Sequence, residues 1–568
     1  MILVPEARIA QFKAKGWWGD QTLDDLFLKH VAAKPDAESI VDPVNRDAIM
    51  GSAPARLSWA ECADQVDRYV AVLSAHGVQK DDVVAVQLPN ILELCLLFLA
   101  CLRLGAVVTP APAQYREHEL ASIIARTKAK LIFTAARIGK HDHAAMMLDV
   151  QKAQPVLATI MVVGGHAPDG TLDFDALTRA VSEAEIEAGR TAAKAAQITA
   201  DDVVTLCWTS GTEAQPKGVP RSHNEWIIMG AGVADAADLQ DGAVLLNPFP
   251  MVNMAGISTS FVSWLILGAR LIQHQPFDLP VFLQQVRQEK IDYTVAPPAV
   301  LNLLLQNEAL LEGIDFERLK SIGSGSAPLS PWMVATWFEK YGVQIVNYFG
   351  SNEGCSFPSA WQDVPDPTER ASLFPRFGQG RQWKALLGDR IETRLVDPET
   401  ETEILEAGRP GELRIKGPTV FSGYWQAPEI DARSFDADGW FRSGDLFELA
   451  GDELQFTRFV GRLKDVIIRG GMNISSEEIE GHLMGHPALA DVAVVGSPDE
   501  NLGERLCAFV VFKPDQSADM TEINRYLTAE KHVAVYKQIE RLEVIAALPR
   551  NPIGKVLKRD LRLKLTKI

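Results

Sequence analysis

The chain has 568 residues, of which 47% are hydrophobic and 23% charged, the balance of a globular protein large enough to bury a core without disulfides or metals. At about 150 residues per domain the length allows roughly four domains, or one large domain with appendages. Lysine and arginine total 56 against 74 acidic residues, a net charge of −18, so the overall field argues against nucleic acid and acidic membranes as partners while leaving room for a local phosphate site.

Met1-Ile-Leu-Val-Pro5 lacks the basic region and long apolar run of a signal peptide. Asp82-Val-Val-Ala-Val-Gln87 reads as a buried strand, Ile91 to Leu104 as a helix closed by Gly105, and Ala106-Val-Val108 as a strand ended by Pro110. The helix holds the most apolar stretch, the nine residues Leu94 to Leu102, too short to cross a bilayer. Lys130 to Thr134 and Asp202 to Cys207 repeat the strand pattern. Such alternation predicts an α/β architecture with largely parallel sheets. From about Gly408 the texture changes: Gly411 to Lys416 and Leu454 to Arg458 alternate apolar and polar residues, as half-buried antiparallel strands do. A boundary falls near Gly461-Arg-Leu-Lys-Asp465, and a small last unit from about 466 carries strand signals at Asp491 to Val495 and Leu506 to Val511. Leu557, Leu561 and Leu565 recur at helical spacing, giving a basic amphipathic tail helix with solvated lysines. Cys62, Cys95, Cys101, Cys207, Cys355 and Cys507 form no metal or redox spacing and read as reduced, buried thiols of a cytoplasmic protein.

Five segments could carry chemistry. Thr209-Ser-Gly-Thr-Glu-Ala-Gln-Pro-Lys-Gly218 follows an apolar strand; its small residues let backbone N–H groups converge on a phosphate, and Lys217 adds a point charge. An ordinary polar turn is the alternative, and the Walker A spacing is absent. Asn347-Tyr-Phe-Gly-Ser-Asn-Glu-Gly354 offers an aromatic face, amides and one carboxylate suited to magnesium, or else a packed strand end. In Trp440-Phe-Arg-Ser-Gly-Asp445 the aspartate could accept from two ribose hydroxyls, or simply be solvated. After Gly461 to Asn473, Ser475 or Ser476 can cap a helix, and the paired glycines suit close approach of another chain. The last is Pro549-Arg-Asn-Pro-Ile-Gly-Lys555.

The order and spacing of these segments resemble the core motifs of the adenylate-forming superfamily of acyl-CoA synthetases, aryl-acid adenylases and luciferases. The resemblance extends over Leu104-Gly-Ala-Val-Val-Thr-Pro110, Tyr115 to Leu120, Ser326-Ala-Pro-Leu-Ser330, Gly408 to Leu413, Gly423-Tyr-Trp425, Gly496 to Asp499 and Gly503-Glu504. It implies an N-terminal domain, residues 1–463, of stacked mixed sheets with helices and a β-barrel-like subdomain. A small mobile α+β domain, residues 464–568, would turn about a hinge at Lys464. It also implies ATP, Mg2+ and coenzyme A, and a two-step reaction: a carboxylate attacks the α-phosphate to give acyl-adenylate and pyrophosphate, then a thiol displaces AMP.

Carried over residue by residue, Lys555 bridges carboxylate and α-phosphate, while Thr209, Ser210, Gly211, Thr212 and Lys217 hold the distal phosphates. Glu353 holds magnesium. Phe349, beside Tyr348, packs on adenine, and Asn347 with Ser326, Ala327 and Pro328 reads its edge. Asn352 donates to the α-phosphate where a threonine is usual, and Asp445 with Arg462 binds ribose. Gly470, Gly471 and Asn473 line a pantetheine tunnel after the hinge turns. Glu213-Ala214 departs from the usual phosphate loop, and Asn253 replaces an aromatic or histidine gate.

Gly16-Trp-Trp-Gly-Asp20 resembles the start of cyclohexanecarboxylate- and aryl-acid-type ligases, which implies a cyclic acid in a pocket formed by Asn253, Met254, Ala299, Ser324, Gly350 and Cys355. A medium-chain fatty acid, a carrier-protein phosphopantetheine as acceptor, a non-catalytic binding protein and luciferase-like oxygenation are the rivals. A homodimer is compatible with the sequence.

Overall fold

The computed structural model describes residues 1–209, 216–469, 472–499, 502–531, 533–551 and 554–565. Two large sheets form the first domain. An eight-stranded sheet runs Ser356–Ser359, Gln344–Gly350, Ser321–Gly325, Tyr293–Val295, Val244–Asn247, Arg270–Gln273, Glu38–Val41 and Arg56–Ser58. Its inner strands are parallel and each edge is antiparallel. A seven-stranded sheet runs Gly218–Ser222, Val203–Trp208, Val107–Pro110, Val83–Gln87, Leu131–Ala135, Thr159–Val163 and Leu172–Asp173. Only its first pair is antiparallel.

Helix Leu92–Leu104 packs in the largest apolar core. Nearly all its side chains are buried, which is why it reads as continuously apolar rather than amphipathic. Gly105 closes it in the left-handed conformation at φ 73°, where a Cβ would strain the backbone. The adjoining strand is Val107–Pro110, with Pro110 as its last residue. Trp59 and Trp264 stack at 5.1 Å within the same core.

A five-stranded antiparallel sheet, with neighbours Leu373–Pro375, Phe456–Arg462, Phe441–Ala450, Gly411–Lys416 and Glu392–Val396, stands where a barrel-like subdomain was expected. Beyond it a second five-stranded sheet, with helices Ser476–Leu483 and Lys558–Leu565, forms the small C-terminal domain around its own cores. Ser475 caps the first helix by accepting from Glu478 N. In the tail helix Leu561 and Leu565 are buried as the spacing predicts. Lys558 is not solvated: its Nζ donates to Ser476 Oγ at 2.7 Å and pairs with Glu480 at 2.9 Å. Among the described residues no helix is long and apolar enough to cross a membrane.

Candidate functional site

The predicted residues converge where the strand ends of both large sheets meet the antiparallel sheet and the small domain. Strand Val203–Trp208 pairs with Gly218–Ser222, and the intervening loop is closed at its mouth. There Thr209 N donates to Lys217 O at 2.9 Å, and Lys217 N to Thr209 Oγ1 at 3.3 Å. Ser210, Gly211, Thr212, Glu213 and Ala214 lie outside the described residues, as do Gly470 and Gly471 and the side chain of Asn473.

Strand Gln344–Gly350 sends alternate side chains to opposite faces. Phe349 packs among Phe357, Phe374, Phe447 and Phe459, with ring centroids 5.0–6.2 Å away, and keeps part of its ring exposed. Tyr348 faces the other way, toward the core that holds Met251 and Met254, and its hydroxyl accepts from Tyr293 at 3.3 Å. Ser326, Ala327 and Pro328 are exposed after strand Ser321–Gly325, and Ser326 adopts φ +67°, a strained conformation for a residue with a Cβ.

Asn347 differs from expectation. Its buried Nδ2 donates to Arg370 O and Ala371 O at 3.2 and 3.0 Å, so both its protons anchor a neighbouring segment rather than face a base. Asn352 also has another task. Its Oδ1 accepts from Met254 N at 2.8 Å and its Nδ2 reaches Trp208 O at 3.4 Å, joining strand Val203–Trp208 to the turn at Met254. An amide offers both a donor and an acceptor, which a threonine cannot supply at that reach.

Glu353 is half-buried. Its Oε1 accepts from Tyr424 Oη at 2.8 Å, and its carbonyl accepts from Phe421 N at 2.9 Å. Lys217 Nζ lies over the Tyr424 ring, 5.1 Å from the centroid. The segment bearing Tyr424 is gripped by Arg8, which donates to Gly417 O at 3.0 Å, Phe421 O at 3.2 Å, Ser422 Oγ at 3.3 Å and also Val420 O. Arg221, buried in its strand, donates to Thr419 O at 2.8 Å and Asn352 O at 3.4 Å. Trp18 Nε1 donates to Pro418 O at 3.3 Å.

Asp445 sits in Phe441–Ala450, one residue after Gly444 at φ 70°. Burial pushes its carboxyl up, and Arg462, Lys555 and Lys464 pull it down. Lys464 lies in the short turn Leu463–Asp465. Lys555 belongs to the small domain; burial first, and then crowding with Arg462 and Lys464, lowers it to about 7 although Asp445 opposes the shift. Its backbone N donates to Asn551 Oδ1 at 2.8 Å, pinning the turn that carries it.

The acyl residues are less compactly grouped. Asn253 caps the next helical turn by accepting from Gly256 N at 3.1 Å, and Met254 is buried in the same core as Tyr293. Ser324 Oγ donates to Ala296 O at 2.8 Å, while Ala299 and Gly350 are exposed. Cys355 is buried in the aromatic core with Phe357 and Phe374, apart from the core that holds Met254.

Sequence reasoning missed Tyr424, Arg221, Arg8 and Tyr293. A charged residue inside the apolar strand Gly218–Ser222 signals Arg221; Tyr424 stood inside a quoted motif without a task.

The AMP-binding enzyme family profile matches residues 27–425, and the AMP-binding enzyme C-terminal domain profile matches residues 478–555. The chain is 32% identical to the medium-chain fatty-acid–CoA ligase of Escherichia coli (strain K12), over 99% of this chain and 94% of that protein. It is 30% identical to the 2-hydroxy-7-methoxy-5-methyl-1-naphthoate–CoA ligase of Streptomyces carzinostaticus, over 98% and 96%. It superposes on ATP-bound MatB from Rhodopseudomonas palustris with a TM-score of 0.76 at 26% identity, covering 96% of this chain and 99% of that one.

Proposed function

The chain belongs to the AMP-binding enzyme family and is an AMP-forming acid–thiol ligase using ATP and CoA; we propose that its acid is compact and cyclic and that both domains serve the first half-reaction. The observation that carries the second point is the electrostatic influence of Lys555 and Asp445 on each other, which sets a lysine of the small domain within reach of the field of the carboxylate assigned to ribose.

A carboxylate is a poor electrophile, because its charge is delocalised and hydroxide would have to leave. In the first step its oxygen attacks the α-phosphorus and the bond to pyrophosphate breaks. Two anions are pressed together, so preorganised cations lower the barrier, typically by about 10²–10³-fold per contact. Lys555 supplies this charge between carboxylate and α-phosphate, and Lys217 supplies it at the loop. Asp445 accepts from ribose, and Phe349 offers the exposed part of its ring to adenine. In the second step a thiol sulfur attacks the acyl carbon and AMP leaves. For that step we place the hinge at Lys464, between a strand of each domain, so that Lys555 withdraws and the segment from Gly470 to Asn473 approaches.

Magnesium arrives with ATP, and Glu353 is the residue that would hold it. Among the described residues no group of three His, Cys, Asp or Glu side chains could hold a metal ion. A lone carboxylate suits a cation carried mainly by phosphates, since magnesium is usually bound through one or two carboxylates plus the nucleotide.

The cyclic acid is supported by Tyr348 and Tyr293, whose hydroxyls meet at 3.3 Å in the core that also holds Met254. A Cβ at Gly323 would come within 2.5 Å of Tyr293 Oη and 2.8 Å of the Tyr348 ring. Little depth is left for a long chain. The similarity to a naphthoate–CoA ligase points the same way, whereas that to a medium-chain ligase favours a short linear acid as the second reading.

AMP release is measured with ATP, magnesium and benzoic, cyclohexanecarboxylic, hexanoic and long-chain acids, each with and without CoA. We expect thioester and AMP only with CoA, and fastest with the cyclic acids. Preference for hexanoic acid would overturn the cyclic assignment. Pyrophosphate exchange that ignores CoA would mark an adenylase that loads a carrier protein.

A further inference from the structure

Tyr424 touches two separate parts of the phosphate end of the site. Its hydroxyl donates to Glu353 Oε1 at 2.8 Å, and its ring faces Lys217 Nζ 5.1 Å away. These partners lie on different loops, and no other side chain described above contacts both. We propose that Tyr424 is a positioning residue that presents the second oxygen of Glu353, and the ammonium of Lys217, to incoming MgATP. The inference rests on assigning Glu353 to magnesium and Lys217 to phosphate.

The geometry has a chemical logic. A tyrosine hydroxyl has one proton; given to Oε1, it fixes the carboxylate's rotation and leaves Oε2 as the oxygen the tyrosine does not engage. A hydrogen bond to an ionised carboxylate is stronger than one between neutral groups, so it holds this orientation against solvent. The ring holds the lysine through its negative face, an attraction a phosphate can outcompete, so the ammonium is kept near the loop.

The tyrosine is itself immobilised. It is 7% exposed. Its backbone N donates to Asp431 Oδ1 at 2.7 Å, and Trp425 N donates to Gly218 O at 2.9 Å, the carbonyl next in sequence to Lys217. Phe421 packs edge-on against its ring at 4.8 Å. On the opposite side Gly354 lets the chain after Glu353 lie against Thr419: a Cβ there would meet Thr419 O at 1.8 Å.

The test uses equilibrium binding without acid or CoA, so that no turnover enters. The affinity of the full-length protein for ATP is measured by calorimetry with magnesium and again with EDTA. Tyr424→Phe keeps the ring and loses the proton. It is expected to weaken ATP binding about tenfold in magnesium, the scale of one hydrogen bond to a charged group, and to leave binding in EDTA within twofold. Tyr424→Leu also loses the ring face and is expected to weaken binding in EDTA by about threefold. Glu353→Gln is the control for the underlying assignment and should weaken binding only in magnesium. If Glu353→Gln acts so and Tyr424→Phe changes nothing, or changes both conditions equally, the positioning role is overturned. If Glu353→Gln has no magnesium-specific effect, the metal assignment falls, and the proposal falls with it for that distinct reason.

Discussion

Asp445 and Arg462 are paired twice over: they are register partners on neighbouring antiparallel strands, and Arg462 Nε lies 3.3 Å from Asp445 Oδ1. The carboxylate we assign to ribose is thereby built into the sheet whose last strand runs on, through one short turn, into the small domain. A turn at Lys464, where we place the hinge, would move Lys555 relative to this pair while leaving the pair intact.

Replacing Lys555 by alanine should therefore separate binding from chemistry. ATP affinity should change by less than about threefold, while pyrophosphate exchange drops by about 10²–10³-fold, the usual worth of one preorganised charge. Exchange retained at the wild-type rate would remove Lys555 from the mechanism.

The lowered lysines predict a proton count. Crowding and burial bring Lys555 to about 7 and Lys464 to about 8, so at pH 8 Lys555 is largely neutral without nucleotide and Lys464 is half protonated. Polyphosphate restores the charged forms, so ATP should take up protons at pH 8 and almost none at pH 6. Calorimetry in two buffers of different ionisation enthalpy reads this directly. The stability sign follows from the same shift: a lysine lowered in the fold makes the fold more stable as pH rises through about 7, up to its free value near 10.4. Equal uptake at both pH values would contradict the assignment.

Lys464→Pro should leave the adenylation half-reaction within a few-fold of wild type and slow thioester formation by more than about tenfold, because proline restricts the backbone that must swing. Single-turnover transfer from preformed adenylate to CoA separates the two steps. Unimpaired transfer would place the hinge elsewhere.

Arg8→Ala leaves three backbone carbonyls of the 417–421 segment without their partner. The cost should be about 1–3 kcal/mol, visible as a lower melting temperature. Since that segment leads into Tyr424, KM for ATP should rise while the maximal rate holds. A loss of stability with unchanged KM would make the N-terminal helix a structural brace only.

Tyr348→Ala should deepen the acyl pocket. Each further methylene that finds a buried place is worth about 0.8 kcal/mol, about fourfold in kcat/KM, so the optimum should move toward longer acids. An unchanged acid preference would put the pocket on another face of the strand.

The sequence reported regular elements well because their signals are local. Leu92–Leu104 is apolar on every side and ends in Gly105, and strand Val203–Trp208 lies one residue from its expected place. What it could not report were partners distant along the chain. Asn347 is spent on Arg370 and Ala371, Tyr424 finds Glu353 across 71 positions, and Arg8 finds Phe421 across 413. Strand alternation alone separates Tyr348 from Phe349, yet only the packed sheets show which face meets the acyl core and which the aromatic one. Cys355 shows the same limit: the structure places it in the core with Phe357 and Phe374, which its neighbours in sequence did not announce.

All six cysteines are buried, and burial drives Cys62, Cys101, Cys207 and Cys507 to about 12 and Cys95 and Cys355 well above the usual thiol range. Reagents that colour thiolates should thus pass this protein by while it is folded. The coenzyme's own sulfhydryl becomes the only reporter in the cuvette, so its disappearance can be followed continuously, without a coupling enzyme, and a sudden enzyme-derived signal would announce unfolding.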